Sequence, residues 1–257
     1  MSVGEVPPSA APPSPAAGES STITHVVVLI HGISTQAEWE ERVKSVLGRL
    51  PGVRIIPLRY EYFDVVRFLV PMEITRSGPK RRIRDQLLDI QRQKEYEDAA
   101  ISVLAHSFGT YIISELLRVE RKVRLSRLVL VGSVVSLDFK WNDLAGHCGQ
   151  ILNDCGWRDY WPVLAESSTW GYGASGTVGF GHNRVVDRFH DARHSDLLSE
   201  EAARKYWLPF FSRGEVVDGD TGRPTTPWAV SILTVIHIKY VVIAALLFLG
   251  AGMLWWR

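Results

Sequence analysis

The sequence predicts an α/β fold: a doubly wound, mostly parallel sheet covered by helices, followed by a C-terminal transmembrane helix. Three observations support this prediction. Apolar, β-branched runs alternate with amphipathic helical patterns through most of the 257 residues. The apolar runs contain few polar residues, as expected of strands that are buried on both faces of a sheet. A final apolar stretch, 228–256, is longer than a helix in a globular core normally is.

Each predicted strand is a short run rich in Val, Ile and Leu. The first, HVVVLIH, is apolar almost throughout, and the second, VRIIPLRY, follows after one helical pattern. The run GQILNDCG is the least regular of the set. Parallel strands need crossover connections, so the helical patterns between these runs favour a parallel sheet. The predicted strands are 25–31, 53–60, 99–105, 127–135, 149–156 and 183–190.

Each predicted helix carries apolar residues at spacings of three and four, which places them on one face. The charged helix that follows the second strand has Ile83, Leu87 and Ile90 on its apolar face. The last helix of the globular part begins after Ser199, whose hydroxyl can accept a hydrogen bond from the first turn. The predicted helices are 37–50, 80–97, 110–119 and 199–211.

The two ends of the chain differ in composition from its middle. Residues 1–22 are rich in Pro, Ala and Ser and lack the pattern of a secretory signal, so a disordered tail is predicted. Residues 228–256 contain only His237 and Lys239 as ionisable groups and are flanked by tryptophans, as expected of a single-pass membrane anchor. A buried core helix is the alternative. The predicted domains are the tail 1–22, a globular domain 23–212, a linker 213–227 and the anchor 228–256.

Charge and cysteine content narrow the possible functions. The formal net charge of +1 gives no general reason to expect a nucleic-acid partner. Cys148 and Cys155 are too few for a disulfide framework, and no His/Cys cluster has metal-ligand spacing, so no metal or cofactor is expected. Arg213 and Arg223 precede the apolar segment and only Arg257 follows it, which favours a cytoplasmic location for the globular domain.

The segment Ala-His-Ser-Phe-Gly, 105–109, lies between a predicted strand and a predicted helix. A serine at such a turn can act as a nucleophile, because small residues two places before and after it avoid clashes with neighbouring elements. Ala105 stands where the G-x-S-x-G pattern has its first glycine. The alternative interpretation is that Ser107 belongs to an ordinary buried turn that needs small residues.

The end of the first predicted strand, LIHGIS, supports the catalytic interpretation. A His-Gly pair at this place allows the main-chain N–H of Ile33 to face the same pocket as that of Phe108, which begins a predicted helix. Two donors that converge on one point form an oxyanion hole. His31 is expected to be structural rather than catalytic.

A serine nucleophile needs an acid and a base, which in a strand–turn–helix hydrolase follow it along the chain in that order. Asp159 is favoured as the acid because it lies in the turn after a strand, whereas Asp154 lies near the end of that strand. Asp138 and Asp143 are weaker candidates because they follow the preceding strand.

The base is expected after the last strand. His194 is favoured because it lies in the loop before the final helix, with His190 as the alternative at the end of the strand. His182 is a third candidate, although it precedes the strand.

The segments LIHGI, SVLAHSFGT, ILNDCGWRDYWPVLA and FHDARHSDLL together resemble the α/β-hydrolase superfamily, in its small lipase and serine-esterase branch. The resemblance covers roughly 24–212. It implies a parallel-sheet fold, a metal-free acyl-enzyme mechanism, and a Ser107, Asp159 and His194 triad. The resemblance names no substrate. Together with the apolar segment 228–256, it predicts a membrane-anchored serine hydrolase of carboxylic esters, such as lipid or acyl esters.

The resemblance leaves other functions open, because this fold also hosts thioesterases, peptidases and binding proteins. A catalytically silent scaffold that binds partners at a membrane is one alternative, and a thioesterase or amidase is another. The basic stretch RSGPKRRIR, 76–84, is either a solvated helix start or a contact for anionic lipid headgroups. The apolar stretch 62–72 is core, lid or membrane-touching segment.

Overall fold

The computed structural model describes residues 22–33, 38–60, 65–69, 73–223, 230, 232–233 and 236–255. The predicted N-terminal tail lies outside the described residues, apart from residue 22.

Six strands form one sheet, and every neighbouring pair is parallel. They are β1 (His25–Ile30), β2 (Val53–Leu58), β3 (Ala100–His106), β4 (Leu125–Val131), β5 (Cys148–Gly156) and β6 (Val185–His190). Their order across the sheet is β2-β1-β3-β4-β5-β6. In the register, His25 of β1 lies opposite Val53 of β2 and Ala100 of β3. All six predicted strands are thus confirmed, with shifts of a few residues at their ends.

Helices connect these strands and cover both faces of the sheet, and further helices follow β6. They are α1 (Glu38–Leu47), α2 (Val65–Leu69), α3 (Glu73–Arg92), α4 (Phe108–Val119), α5 (Trp161–Ser168), α6 (Ser175–Val178), α7 (Glu200–Ala202), α8 (Leu208–Arg213) and α9 (Ile238–Trp255). A π-helical turn, Ala203–Trp207, joins α7 to α8. Short 3₁₀ turns occur at Lys94–Tyr96 and Trp141–Leu144.

The core has two layers because successive side chains of a strand point to opposite faces. In β1, Val26, Val28 and Ile30 pack beneath α3 and α4, whereas Val27 and Leu29 pack beneath α1 and α8. All five are fully buried. The continuous apolar run of this strand is therefore explained by burial on both faces.

The strand order places a crevice where a ligand can bind. The order reverses between β1 and β3, so the connections that leave these two strands run to opposite faces of the sheet. In open α/β sheets, sites lie at such a reversal, beyond the carboxyl ends of the strands. Residues that follow β1, β3, β5 and β6 meet at this edge.

Helix α3 is longer than predicted. It begins at Glu73 rather than at 80 and continues through Pro79, although proline removes a hydrogen-bond donor from a helix. A tertiary contact accounts for the extra turns. Arg76 is buried there, and its guanidinium donates to the main-chain O of Trp170 at 3.0 Å.

The start of the predicted anchor packs against the globular domain. Val230 is fully buried and packs with Val163 and Ala174. Among the residues that the structure describes, no helix is both long and apolar enough to cross a membrane. The segment 228–256 lies partly outside the described residues, so the anchor stays a prediction.

Candidate active site

Ser107 lies at the sharp turn between β3 and α4 and has an unusual backbone conformation. Its φ and ψ are 53° and −122°, and no other described non-glycine residue has a positive φ. Such a conformation is strained for a residue with a Cβ and is found where the surrounding structure enforces it, often at functional sites. The turn aims Ser107 into the crevice beyond the sheet.

Small residues around Ser107 make this turn possible. A Cβ on Gly32 would come within 2.8 Å of the Ser107 Cβ, and one on Gly109 would come within 2.6 Å of the Ile30 main-chain O. Both positions therefore require glycine. Ala105, where the pattern has its first glycine, is fully buried in β3, so its methyl group is accommodated.

Asp159 lies in the turn between β5 and α5, as predicted. The carboxylate is almost fully buried. Its Oδ1 accepts a hydrogen bond from the main-chain N–H of Trp161 at 3.0 Å, which fixes the carboxylate in orientation. Its Oδ2 lies 2.7 Å from His194 Nδ1.

His194 lies in the loop between β6 and α7, and its imidazole is oriented by Asp159. A carboxylate can only accept, so in the neutral ring Nδ1 carries the hydrogen and Nε2 has the lone pair. This is the tautomer that a general base needs. His194 and Ser107 line the same cavity, although no hydrogen bond joins them among the described contacts.

His106 positions the main chain of His194. Its Nε2 donates to the His194 main-chain O at 3.2 Å, and its ring is completely buried. Burial holds the pKa of His106 well below its usual value, and His194 lowers it further, so the ring stays neutral. In the sequence this residue stands out only as the neighbour of Ser107, because the contact spans 88 residues.

Two glycines that the sequence analysis did not single out make room for the Asp159–His194 pair. Gly132 has φ +56°, and a Cβ there would lie 2.9 Å from His194 Nδ1 and 3.2 Å from Asp159 Oδ2. A Cβ on Gly156 would lie 2.6 Å from the Ala192 main-chain O. The pair can approach the sheet edge only because both positions lack a side chain.

The predicted oxyanion-hole residues lie on the two sides of Ser107. Ile33 follows β1 and lines the cavity, and Phe108 is the first residue of α4. Tyr60 supports this turn, since its hydroxyl lies 2.9 Å from the main-chain O of both His31 and Gly32. The His31 ring stacks on Tyr60 at 4.3 Å, and burial lowers the pKa of His31, which agrees with a structural role.

The cavity has a volume of about 460 Å³ and is mostly apolar. Ser107, Ser168 and His194 supply the polar groups of its lining, and no charged side chain lines it among the residues that the structure describes. The stretch 62–72 contributes to the cavity through α2. The apolar lining is Ile33, Phe68, Leu69, Val134, Trp161, Leu164 and Ala165.

The alternative pair, Asp154 and His190, lies elsewhere and is sealed. Asp154 accepts from Arg188 at 2.6 and 2.9 Å, from Trp207 Nε1 at 2.8 Å and from His190 Nε2 at 3.0 Å. The other ring nitrogen of His190 lies 3.2 Å from Asp220. Burial alone would raise the pKa of Asp154, but Arg188 and His190 outweigh it and hold the pKa well below its usual range.

The remaining candidates lie outside the cavity. His182 precedes β6, and its Nδ1 accepts from the main-chain N–H of Arg184. Asp138 and Asp143 are exposed to solvent. In the basic stretch, Arg76 is buried over the Tyr172 ring, 4.2 Å from its centroid, so this arginine is not part of a solvated helix face.

No protein-family model matches the chain, and no curated protein sequence matches it significantly. Several solved structures are similar to the chain in fold. The protein TT1662 from Thermus thermophilus has a TM-score of 0.50 and 13% identity, over 70% of this chain and 85% of that one. Dienelactone hydrolase from Anabaena variabilis has a TM-score of 0.48 and 12% identity, over 76% and 88%. Esterase PE8 has a TM-score of 0.47 and 13% identity, over 72% and 90%.

The six-stranded parallel sheet, its flanking helices and the strand–turn–helix at Ser107 define the fold of the protein. The chain has the fold of the α/β-hydrolase superfamily. At these identities the likeness concerns the fold, and the chemistry has to be argued from the site.

Proposed function

We propose that this protein is a serine hydrolase that cleaves carboxylic esters through an acyl-enzyme on Ser107. The observation that carries the proposal is the placement of Ser107. It occupies a strained turn and lines the same cavity as His194, whose Nδ1 is bonded to Asp159. An acid, an oriented base and a nucleophile that faces a cavity at one edge of the sheet are the parts that acyl transfer needs.

The first half of the reaction acylates the serine. His194 Nε2 takes the proton of the Ser107 hydroxyl as Oγ attacks the ester carbonyl. The carbonyl oxygen becomes an oxyanion, which the main-chain N–H groups of Ile33 and Phe108 stabilise. As the tetrahedral intermediate collapses, His194 gives its proton to the alcohol that leaves.

The second half releases the acid. A water molecule loses a proton to His194 and attacks the acyl-enzyme, and Ser107 recovers its proton when the bond to the acyl group breaks. Asp159 keeps the imidazole in the required tautomer and stabilises its charged form. The apolar lining of the cavity favours a neutral acyl chain over a charged one, since no Asp, Glu, Lys or Arg side chain is in the described lining.

We also propose that the segment 228–256 attaches this domain to a membrane, with the domain on the cytoplasmic side. Helix α9 supports this, because it exposes large apolar side chains at consecutive positions and therefore on all sides: Tyr240, Val241, Val242, Ile243, Leu247, Phe248 and Leu249. A surface helix of a globular protein normally buries one apolar face. Full-length protein that high salt or carbonate washes off membranes would contradict the anchor, and protease protection of the domain in sealed cells would report its side.

The ester activity is tested with a chain-length series of esters and a fluorophosphonate probe. Ser107→Ala should abolish both turnover and labelling. Ser114→Ala is the matched control, because Ser114 lies on α4, is fully buried and has an Oγ without a hydrogen-bond partner among the described residues. Parent protein that is neither labelled nor active on any ester would leave a silent scaffold, and turnover in Ser107→Ala would exclude the proposed nucleophile.

A further inference from the structure

Helix α5 has different neighbours on its two sides. Leu164 and Ala165 line the cavity that contains Ser107. On the other side, Val163 packs against Val230, and both are fully buried. One two-turn helix therefore joins the wall of the cavity to the segment that leads into α9.

Lys239 fastens the start of α9 to the C-terminal end of α5. Its Nζ donates to the main-chain O of Glu166 at 2.8 Å and of Thr169 at 2.9 Å. Next to it, the main-chain N–H of Ile238 donates to Ser167 Oγ at 2.8 Å. The last carbonyls of a helix carry partial negative charge, so an ammonium group is stabilised there. The lysine of this apolar helix is thus held by the globular domain.

Thr169 connects this attachment to the mouth of the cavity. Its Oγ1 donates to the main-chain O of Leu69 at 2.7 Å, while its own main-chain O accepts from Lys239. Thr169 is buried, whereas Leu69 lines the cavity and is partly exposed. Two hydrogen bonds, both made by Thr169, therefore connect the mouth of the cavity to the start of α9.

Large apolar side chains are exposed both at the cavity and at the attachment of α9: Leu69 and Trp161 line the cavity, Trp170 follows Thr169, and Tyr240 follows Lys239. They are Leu69 at 41%, Trp161 at 61%, Trp170 at 43% and Tyr240 at 55% exposure, and we call them the mouth face. The Trp170 and Tyr240 rings touch edge to face, with centroids 6.3 Å apart. Contiguous exposed apolar side chains mark interaction surfaces, and Trp and Tyr are the residues that favour the membrane–water interface.

We propose that the mouth face rests on a lipid bilayer, so that the acyl chain of a membrane-resident ester passes from the bilayer into the cavity. This inference rests on the ester hydrolase function and on the attachment of α9 to a membrane. If α9 enters a bilayer, the hydrogen bonds of Lys239 and Thr169 hold the mouth close to the point of entry. A bilayer is favoured over a protein partner because the face is continuous with α9, which exposes apolar side chains all round.

The charge beside the mouth face fits an anionic lipid surface. Arg76 donates to the main-chain O of Trp170, which brings the first half of α3 next to the face. The basic stretch continues from there along the helix, and Arg81 is exposed to solvent. Cations near a membrane surface are attracted to anionic headgroups.

The test compares two esters on the full chain, one short and water-soluble, the other long-chain and embedded in vesicles of phosphatidylcholine and phosphatidylglycerol. The double substitution Trp170→Ser and Tyr240→Ser should lower kcat/KM on the vesicle ester by about tenfold or more and change it less than about twofold on the soluble ester. Val119→Ser is the matched control, because Val119 is an exposed apolar residue at the far end of α4. It should change neither value.

A second variant tests the attachment itself. Lys239→Met should lower activity on the vesicle ester alone, and Lys239→Arg should restore much of it, since arginine can still donate to the carbonyls of α5. Equal losses on both esters, or no loss on the vesicle ester, would overturn the inference while leaving the hydrolase function intact. A dimer that the double substitution dissociates, with unchanged vesicle activity, would overturn it too and assign the face to a second copy. Parent protein that cleaves neither ester would instead refute the proposed function.

Discussion

Two Asp–His pairs lie near the carboxyl ends of β5 and β6, within a few residues of each other, and they have different surroundings. Asp159 and His194 lie in the loops beyond the strands, whereas Asp154 and His190 lie inside the strands. The side chain of His194 is 17% exposed and that of His190 is fully buried. The carboxylate–imidazole distances are similar, at 2.7 and 3.0 Å.

The difference lies in what the second ring nitrogen faces. The second nitrogen of His190 faces the carboxylate of Asp220, so both nitrogens are occupied. His194 lines the cavity together with Ser107, and among the described contacts only its Nδ1 is bonded. An Asp–His contact is therefore not by itself evidence of a base. A base also needs a free nitrogen beside a group that has a proton to give.

The largest expected effect separates the two histidines. His194→Ala should lower kcat on an ester substrate by a factor on the order of 10⁶, because the serine then has no base. His190→Ala should leave kcat per folded molecule nearly unchanged and lower the free energy of unfolding. The measurement is ester turnover together with urea unfolding of both variants. A larger loss of kcat in His190→Ala would reverse the assignment of the pairs.

Asp159→Asn should have the next largest effect. An asparagine amide in this position can donate to His194 Nδ1, which moves the ring hydrogen to Nε2 and removes the base. The expected loss in kcat is on the order of 10⁴ with an unchanged fold. Asp138→Asn is the control, since Asp138 is an exposed carboxylate outside the cavity. Near-normal turnover in Asp159→Asn would show that another group orients the imidazole.

The sequence was sufficient to predict the parallel sheet and to favour Asp159 and His194 as partners. The strands are apolar on both faces, so their runs stand out, and a parallel sheet collects everything that follows its strands at one edge. Position in the loops was enough to prefer Asp159 and His194 over their neighbours. That preference agrees with the geometry, although the catalytic roles stay predictions.

Contacts between distant parts of the chain could not be predicted. In the sequence, Gly132 looks like any glycine after a strand. Only the structure shows that its φ is +56° and that a Cβ there would clash with Asp159 and His194. The early start of α3 depends on the hydrogen bond from Arg76 to Trp170, 94 residues away. Periodicity and local propensity carry no information on such pairs, which a single sequence cannot reveal.

The third prediction concerns the stability that the sealed pair supplies. Asp154→Asn leaves Arg188 as a buried charge without its carboxylate partner, which typically costs about 3–5 kcal/mol. The free energy of unfolding, measured in urea, should fall by about that amount, while kcat per folded molecule stays within a fewfold of the parent. A stability close to that of the parent would mean that water or relaxation compensates for the lost carboxylate.

Gly132→Ala should displace Asp159 and His194 without removing either side chain. The new methyl would press against His194 Nδ1 and Asp159 Oδ2, and alanine is strained at φ +56°. A displacement of about 1 Å in a catalytic group can cost on the order of 10²-fold in rate. Turnover and thermal unfolding of Gly132→Ala should be compared with Gly146→Ala, because Gly146 also has a positive φ, but a Cβ added there would meet no described atom within 4 Å. Equal losses in both variants would assign the effect to backbone strain alone.

The smallest expected effect is on the pH dependence of the free energy of unfolding. This dependence distinguishes the contribution of Asp154 from that of the buried histidines. The pKa of Asp154 is held well below 3.8, so the unfolded chain binds more protons than the folded one below about pH 4. The stabilisation by Asp154 is therefore complete above that pH and is lost as the pH falls through its folded pKa. Burial lowers the pKa of His25 from 6.5 to about 4, with Arg127 lowering it further, and burial also lowers the pKa of His31 and His106. Stability therefore also declines as the pH falls below about 6.5, because the unfolded chain takes up protons first. The parent should thus lose stability in two stages.

Urea unfolding at a series of pH values should show that Asp154→Asn flattens the stage below about pH 4. The upper stage should be unchanged, because His25 lies at the start of β1, at the opposite end of the strands from Asp154. The same slope below pH 4 in parent and variant would mean that other titrating groups, and not the sealed pair, control the acid stability of this fold.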